Sequence, residues 1–291
     1  MVAQSGLTRA SRPGYRPPSH MARRAPTRFP GPLIGVLHLG ELLGQPGFAG
    51  IGPLLAAVER DAAALLAGGI EALLLENWRD ESPGPCVGPE SVACLALVAR
   101  AVRALSPGPV GINVLPNDYR AAFALARACE LEFVQLDVFS DAVRTDYSYS
   151  QAPPFEVRVD LTDVARARRE LSAEGVLLLA TVHPKHYALL EPALTLEESA
   201  RRALEHGADG LVVTGTHTGS APDPARVARV KAVAGSAPVL VGSGLDLGNC
   251  AALLARCEGA IVGTALRGPD MGPVDPARVA ALVAAVRAAA G

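Results

Sequence analysis

The sequence predicts an α/β protein, a (β/α)8 TIM barrel of the phosphate-binding type, over residues 32–291. Eight short apolar runs alternate with eight helical stretches, a pattern typical of parallel strands joined by helical crossovers. Roughly 250 residues are usual for such a barrel. The helix-to-strand joints also repeat, as at 67–75 (A-G-G-I-E-A-L-L-L) and 205–213 (E-H-G-A-D-G-L-V-V), which suits a structure built from like units. A doubly wound open sheet is the alternative, but no G-x-G-x-x-G follows the first apolar run.

The strands are predicted from continuous apolar runs, which indicate strands buried on both faces. They are expected at Leu33–Leu39, Glu71–Leu75, Val110–Leu115, Phe133–Val138, Val176–Val182, Leu211–Thr214, Val239–Val241 and Gly259–Val262. Between the fourth and fifth strands, Ser140–Pro154 is expected to form a long polar and aromatic loop.

The helices are predicted from the stretches between those runs and from their end signals. They are expected at about Leu54–Ala67, Pro89–Leu105, Asp118–Cys129, Asp160–Ala173, Leu196–His206, Pro224–Val233, Leu247–Arg256 and Pro276–Ala290. Asp118 is a candidate N-cap, and glycines at 68 and 207 are expected to end two of the helices.

Residues 1–31 differ from the rest of the chain because they contain six arginines, several prolines and no acidic residue. No apolar segment of the kind found in a secretory signal follows them. We expect a disordered basic extension, or an upstream start codon with Met21 as the natural start. An organelle transit peptide is the alternative, and the prolines argue against its amphipathic helix.

The composition excludes several classes of function. The net charge of −2 provides no field for a polyanion, so no nucleic acid partner is expected. No apolar run reaches the roughly 18 residues of a membrane span, and the five cysteines are odd in number and form no C-x-x-C pair. The sequence therefore predicts a cytoplasmic protein with reduced cysteines that acts on a small molecule, and it leaves a homo-oligomer open.

The last two predicted strands each end in a glycine-rich turn. Gly242, Ser243 and Gly244 follow one strand, and Gly263 and Thr264 follow the next. Turns without bulky side chains let backbone N–H groups approach an anion, and (β/α)8 barrels bind phosphate after strands 7 and 8. A tight structural turn is the alternative at each site, but the pair in this position favours a phosphorylated small-molecule ligand.

Every predicted strand end carries a polar group, although burial of such a group without a partner costs several kcal/mol. Catalytic groups of (β/α)8 barrels lie at these ends. The candidate catalytic residues are His38, Glu76, Asn113, Asp137, His183, Lys185, His186 and His217.

Four of these candidates have ordinary structural alternatives. His38 is equally typical of a hydrogen-bonded core histidine, and Glu76 of a carboxylate paired with an arginine. Asn113 could form a turn before Pro116, and Asp137 could cap the following loop. Their shared position at the predicted mouth favours a site role for His38 and Asp137.

The segment His183-Pro184-Lys185-His186 has the strongest functional signal. Lysine is rare in this chain, with Lys185 and Lys231 the two lysines among 27 basic residues. Lys185 could serve as a phosphate cation, a proton carrier or a Schiff-base amine, whereas Lys231 is expected on a helix surface. His217, in a loop of glycine and threonine, is expected to contact the ligand.

No cofactor is firmly implied, although a divalent metal is possible. No H-E-x-x-H or similar motif is present, and no G-x-S-x-G elbow indicates a serine nucleophile. A mixed nitrogen and oxygen site could nevertheless be built from His38, Glu76, Asp137, His183, His186 and His217.

Nine segments together resemble the BtpA/SgcQ family, a group of (β/α)8 barrels. They include I-G-V-L-H-L-G, A-L-L-L-E-N, G-I-N-V-L-P-N-D, V-H-P-K-H, L-V-V-T-G-T-H-T-G, V-L-V-G-S-G and A-I-V-G-T-A-L. The resemblance implies a barrel similar to the phosphate-binding barrels of tryptophan and histidine biosynthesis. The family takes its name from photosystem I biogenesis, and other members accompany sugar metabolism, so it implies no single reaction.

The chain departs from the family pattern near the predicted mouth. Thr181 and Pro184 replace an acidic and an apolar residue of the family's D-V-H-V-K-H segment. Gln135 and Asp137 stand where the family has arginine and asparagine, while Asp146 survives in the T-D pair and is a further site candidate. These differences leave the substrate open.

Two classes of function follow. The first is an enzyme acting on a sugar phosphate or phosphoribosyl compound, with His183 or His38 as acid or base, Glu76 or Asp137 as base, and Lys185 stabilising developing negative charge. Isomerase, lyase and hydrolase chemistry all remain open. The second is a non-catalytic assembly or regulatory factor.

Overall fold

A computed structural model of the protein describes residues 33–80, 84–145, 154–268 and 271–290. The basic extension predicted over residues 1–31 and the candidate Asp146 lie outside these ranges. Within them, no helix combines the length and the hydropathy that crossing a bilayer requires.

Eight parallel strands close into a barrel, as the sequence predicts. The barrel strands are β1 Leu33–His38, β2 Ala72–Glu76, β3 Val110–Asn113, β4 Phe133–Leu136, β7 Leu177–Val182, β9 Gly210–Val213, β10 Val239–Val241 and β11 Gly259–Val262. Their order around the barrel is β1-β2-β3-β4-β7-β9-β10-β11, and β11 pairs with β1.

A helix follows each barrel strand and packs outside it. The helices are α1 Ile51–Ala67, α2 Pro89–Leu105, α3 Tyr119–Cys129, α4 Leu161–Glu170, α5 Leu196–Glu205, α6 Pro224–Val233, α7 Cys250–Leu254 and α8 Pro276–Ala290. The side chain of Asp118 caps α3 by accepting from the backbone N–H of Ala121 at 2.9 Å, which confirms the predicted cap.

The seventh helix is shorter than the expected Leu247–Arg256. The side chain of Asp246 accepts hydrogen bonds from the backbone N–H groups of Gly248 at 2.8 Å and Asn249 at 3.1 Å. This local turn competes with the first helical turn, so α7 begins only at Cys250.

The loop expected over Ser140–Pro154 contains structure that the sequence analysis missed. A small antiparallel sheet joins β5 Val143–Thr145, β6 Glu156–Val157 and β8 Tyr187–Leu189. A small apolar cluster that includes Val138, Val143 and Val157 packs beneath it. The sheet ties the loop after β4 to the loop after β7, and so supports the segment that carries Lys185.

The core has an inner and an outer part. The outer part lies between strands and helices. The inner part fills the barrel with Ile34, Val36, Ala72, Leu74, Phe133, Leu179, Val212, Leu240 and Ile261. Because side chains alternate across a strand, the next inward position toward the carboxyl ends brings polar residues above this apolar plug, as His38 after Val36 and Glu76 after Leu74.

Candidate functional site

A cavity of about 390 Å³ opens at the carboxyl ends of the barrel strands. Ten of the thirteen predicted site residues line it, and they come from both ends of the chain. They are His38, Glu76, Asp137, Lys185, His186, Gly242, Ser243, Gly244, Gly263 and Thr264. The barrel thus brings the two glycine turns and the acidic strand ends to one space.

A carboxylate pair forms the acidic part of the cavity floor. Asn113 on β3 lies between the two acids, and its side-chain amide is 3.3 Å from Glu76 Oε2 and 3.3 Å from Asp137 Oδ1. Gln135 donates to Asp137 Oδ1 at 3.1 Å. Two acids that share one amide donor are close enough to influence each other's ionisation.

The pKa of Glu76 is raised to about 7, first by burial and second by the negative charge of Asp137, while Lys185 and the hydrogen bond from the Asn113 amide act in the opposite direction. Burial also raises the pKa of Asp137, against the lowering effects of Lys185, Asn113 and Gln135. At neutral pH Glu76 is therefore divided between its acid and carboxylate forms, so it can both give and take a proton.

His38 is held neutral instead. Its pKa is lowered to about 3, first by burial and then by the positive charges of Arg267 and Lys185. Its Nε2 lies 3.8 Å from Glu76 Oε1. Its ring packs edge to face against Trp78, with the two ring centroids 5.6 Å apart. A neutral imidazole can donate one hydrogen bond and accept another, but His38 carries no positive charge near neutral pH.

Gly263 makes room for that imidazole. A Cβ atom added to Gly263 would lie 2.3 Å from His38 Cε1, far inside a van der Waals contact. The expected role of this glycine was to open the turn to an anion. The structure shows that its missing side chain is also required for the packing of His38.

The turn that carries Lys185 is held from two sides at His183, two residues before the lysine. The backbone N–H of His183 donates to Asp141 Oδ2 at 2.7 Å, and Arg226 donates to the His183 carbonyl at 3.3 Å. His183 has a φ of 48°, a conformation that is uncommon outside glycine. The buried carboxylate of Asp141 also accepts from Ser199, so the turn is anchored on the core.

The glycine turns leave several amides without backbone partners. Within the described ranges, no backbone carbonyl accepts from the N–H groups of Ser243, Gly244, Gly263 or Thr264. Gly242 differs from the expectation, because its N–H donates to the carbonyl of Val213 at 2.8 Å as part of the sheet. An anion at these turns would therefore meet the later amides and not that of Gly242.

The side chain of Ser243 is engaged by the protein itself. Its hydroxyl accepts from the Gly215 N–H at 3.2 Å and donates to the Ser220 carbonyl at 2.9 Å. Gly244 adopts a φ of +70°, and a Cβ there would lie 2.1 Å from the Ala221 nitrogen. These contacts fix the shape of the turn and leave the Ser243 hydroxyl hydrogen-bonded within the protein.

Three predicted site residues do not line the cavity. Asn113 is buried beneath it and contacts both acids. The Nε2 of His183 is buried without a hydrogen-bond partner among the described residues. His217 is exposed and pairs with the neighbouring Thr216, whereas His186 contacts Thr218 at 2.8 Å on the rim. His183 therefore lies two residues from Lys185 in sequence but is not among the residues that line the cavity.

The possible metal site is not assembled. In the part of the chain that the structure describes, no group of three or more histidine, cysteine or acidic side chains is arranged to hold a metal ion. The six residues considered from the sequence are divided among the cavity, the barrel wall and the exposed loop that carries His217.

Sequence reasoning missed several cavity residues. Trp78, Thr181 and Thr214 line the cavity. Arg267 does not line it, but its positive charge helps to lower the pKa of His38. Trp78 follows Asn77, whose side-chain amide donates to the carbonyl of Leu115 at 3.0 Å and accepts from the N–H of Leu115 at 2.6 Å. The inward period of two on each strand could have found Thr181 and Thr214, but no sequence signal predicts the loop conformation that places Trp78.

Solved structures with the same fold share little sequence with this chain. The native KDPGal structure matches with a TM-score of 0.55 at 17% identity, over 89% of this chain and 96% of that chain. The phosphoribosyl anthranilate isomerase from Thermus thermophilus matches with a TM-score of 0.52 at 17% identity, over 88% and 98%. At such identities the likeness confirms the barrel fold alone.

Relatives in sequence are much more similar. The photosystem I biogenesis protein BtpA of Synechocystis is 35% identical over 261 residues, which are 88% of this chain and 88% of that protein. The uncharacterized protein PH1209 of Pyrococcus horikoshii is 34% identical over 239 residues, 80% of this chain and 86% of that protein. The model of the BtpA family matches residues 30–288. The resemblance seen in the motifs is confirmed, and the chain belongs to the BtpA family.

Proposed function

We propose that this protein is an enzyme that binds a sugar phosphate or phosphoribosyl compound and moves protons on it at the mouth of the barrel. One observation carries the proposal. Glu76, Asp137 and Lys185 line the same cavity as two glycine turns, and apart from Gly242 the amides of these turns have no backbone acceptor among the described residues. The cavity thus combines an anion-binding end with a proton-transfer end.

The phosphate would bind at the turns after β10 and β11. The amides of Gly244 and Thr264 are suited to this role because backbone N–H groups bind phosphate oxygens without a side chain between them. Thr264 is exposed and lines the cavity, so its hydroxyl could add a hydrogen bond to the phosphate.

Glu76 is the best candidate for the acid or base. General acid–base catalysis is most effective when the pKa of the group lies near the working pH, and the pKa of Glu76 is about 7. Asp137 supports it through their mutual repulsion, and Lys185 would stabilise negative charge that develops on the substrate. His38, whose pKa is about 3, would act as a neutral hydrogen-bonding group.

Ligand titration can test this proposal through Trp78, which is the single tryptophan of the chain and lines the cavity. We expect ribose 5-phosphate to change its fluorescence at a concentration at least tenfold lower than ribose does. Thr264→Glu should weaken ribose 5-phosphate binding at least tenfold by charge repulsion. Thr216→Glu is the matched control on the exposed loop outside the cavity and should bind normally. Equal binding of the two sugars would contradict the phosphate site.

A non-catalytic assembly or regulatory factor is the second candidate. It is favoured by the name of the Synechocystis relative, a photosystem I biogenesis protein. A factor of this kind would bind the phosphorylated ligand without converting it, and Glu76→Gln would leave its cellular role intact. Turnover of a phosphorylated sugar that Glu76→Gln abolishes would exclude this candidate.

A further inference from the structure

Lysine usage singles out one side chain in the cavity. The chain has two lysines among its 27 basic residues, so arginine serves nearly every position where a cation is needed. Arginine cannot lose its proton in a protein, whereas the lysine amine can, and only the neutral amine is a nucleophile. A lysine in the cavity of such a chain points to chemistry that arginine cannot perform.

The two lysines have different surroundings. Lys231 on α6 pairs with Glu258 at 2.6 Å, an ordinary ion pair at the surface. Lys185 lines the cavity, and within the described ranges it forms no hydrogen bond or ion pair. Its charge nevertheless acts on Glu76, Asp137 and His38. The amine therefore lies near the acids but does not contact them, so a ligand atom can come between.

We propose that Lys185 forms an imine with a carbonyl group of the phosphorylated ligand, which makes that ligand an open-chain aldose or ketose phosphate. This inference rests on the proposed function, because the phosphate site would hold the carbonyl carbon beside the amine. It narrows the ligand class, since a phosphoribosyl compound whose anomeric carbon is locked in a glycosidic bond has no free carbonyl group.

The reaction is balanced without an oxidant or a reductant. The Lys185 ammonium first gives a proton to a carboxylate of the Glu76–Asp137 pair. The Nζ lone pair then attacks the carbonyl carbon as the C=O π bond breaks, and the proton that the nitrogen releases passes to the former carbonyl oxygen to give a neutral carbinolamine. Protonation of its hydroxyl by the acid releases water as the C–O bond breaks and a C=N bond forms. One ammonium and one carbonyl thus become one protonated imine and one water.

The carboxylate pair suits both halves of this sequence. Carboxylate must be present to accept the ammonium proton, and carboxylic acid must be present to release water. Glu76, with a pKa of about 7, supplies both forms at neutral pH.

Borohydride trapping on the full-length chain tests the inference. The probe is pyridoxal 5′-phosphate, a phosphorylated aldehyde, with D-glyceraldehyde 3-phosphate as a second probe. Sodium borohydride converts the imine to a stable amine, and peptide mass mapping distinguishes Lys185, Lys231 and the N-terminal amine. We expect Lys185 to be labelled at least tenfold faster than Lys231, and inorganic phosphate to slow its labelling.

Variants provide matched controls. Lys185→Arg should lose the adduct, while Lys231→Arg should keep it, and circular dichroism checks that both are folded. Pyridoxal, which lacks the phosphate, should label Lys185 at least tenfold more slowly than pyridoxal 5′-phosphate. Because mapping of the unmodified wild-type sequence already identifies the labelled amine, the test does not depend on any variant folding.

Two negative results are distinguishable. If calorimetry shows that inorganic phosphate or ribose 5-phosphate binds but Lys185 is not labelled in preference to Lys231, the imine is excluded and the phosphate site stands. If neither compound binds and labelling is unselective, the proposed function fails and this inference fails with it.

Discussion

Replacement of Glu76 by glutamine should stabilise the protein at alkaline pH. The side chain of Glu76 is 17% exposed, and its pKa rises from 4.5 in the unfolded chain to about 7 in the folded protein. The folded protein therefore binds a proton more tightly than the unfolded chain does. As the pH rises from below 4.5 to above 7, the unfolded chain loses its proton first, so the free energy of unfolding falls.

The magnitude follows from the two pKa values. Each unit of difference corresponds to about 1.4 kcal/mol, so ionisation of Glu76 lowers the free energy of unfolding by about 3 kcal/mol at pH 8 and by under about 1 kcal/mol at pH 5. Glutamine has nearly the same shape, can still accept from Asn113, and does not ionise. Glu76→Gln should therefore exceed the wild type in stability by those amounts, although we expect it to lose activity.

Urea unfolding at pH 5, 6, 7 and 8, followed by circular dichroism, measures this difference. Glu41→Gln is the matched control, because Glu41 lines the rim of the same cavity with 34% of its side chain exposed, 3.5 Å from Arg79. A solvated carboxylate of this kind should change the stability by under about 0.5 kcal/mol. A stability difference for Glu76→Gln that does not grow with pH would refute the reasoning.

Two further predictions concern residues that line the same cavity as Glu76. Asp137→Asn removes the like charge that is the second cause of the raised pKa of Glu76, so the acid limb of the pH–rate profile should move to lower pH while burial keeps it above the normal value of a glutamate. Gly263→Ala should lower the free energy of unfolding by about 1–3 kcal/mol, because the new Cβ meets His38 at 2.3 Å. Gly268→Ala, whose added Cβ has no atom of the described residues within 4 Å, is the control and should be nearly neutral. Thermal unfolding and the NMR signal of the His38 ring would report both alanine variants, and unchanged signals in Gly263→Ala would contradict the packing argument.

Sequence patterns predicted the barrel because its determinants are local. Each strand is a short apolar run bounded by glycine or polar residues, and each helix has end signals that neighbours along the chain supply. The weaker predictions were those that depend on contacts remote in sequence. In the small antiparallel sheet, β5 pairs with β8, which lies more than thirty residues further along the chain. These short strands have no distinctive sequence pattern of their own.

The position of the candidate site could be predicted from the sequence, but the protonation and the orientation of its side chains could not. Strand-end location was enough to find Glu76, Asp137, Lys185 and both glycine turns. It was not enough to separate Lys185 from His183, since the conformation of this turn depends on contacts with Asp141 and Arg226, which are remote in sequence.

The sequence by itself determined that eight like units would form a barrel and that polar groups and glycine turns would meet at one end of it. The tertiary structure alone decided which group carries a proton near neutral pH. A histidine has the appropriate pKa in water and a glutamate does not, but burial acts on them in opposite directions, lowering the pKa of His38 to about 3 and raising that of Glu76 to about 7. The physical reason is that desolvation always disfavours the charged form, and the degree of desolvation is a property of the packed barrel.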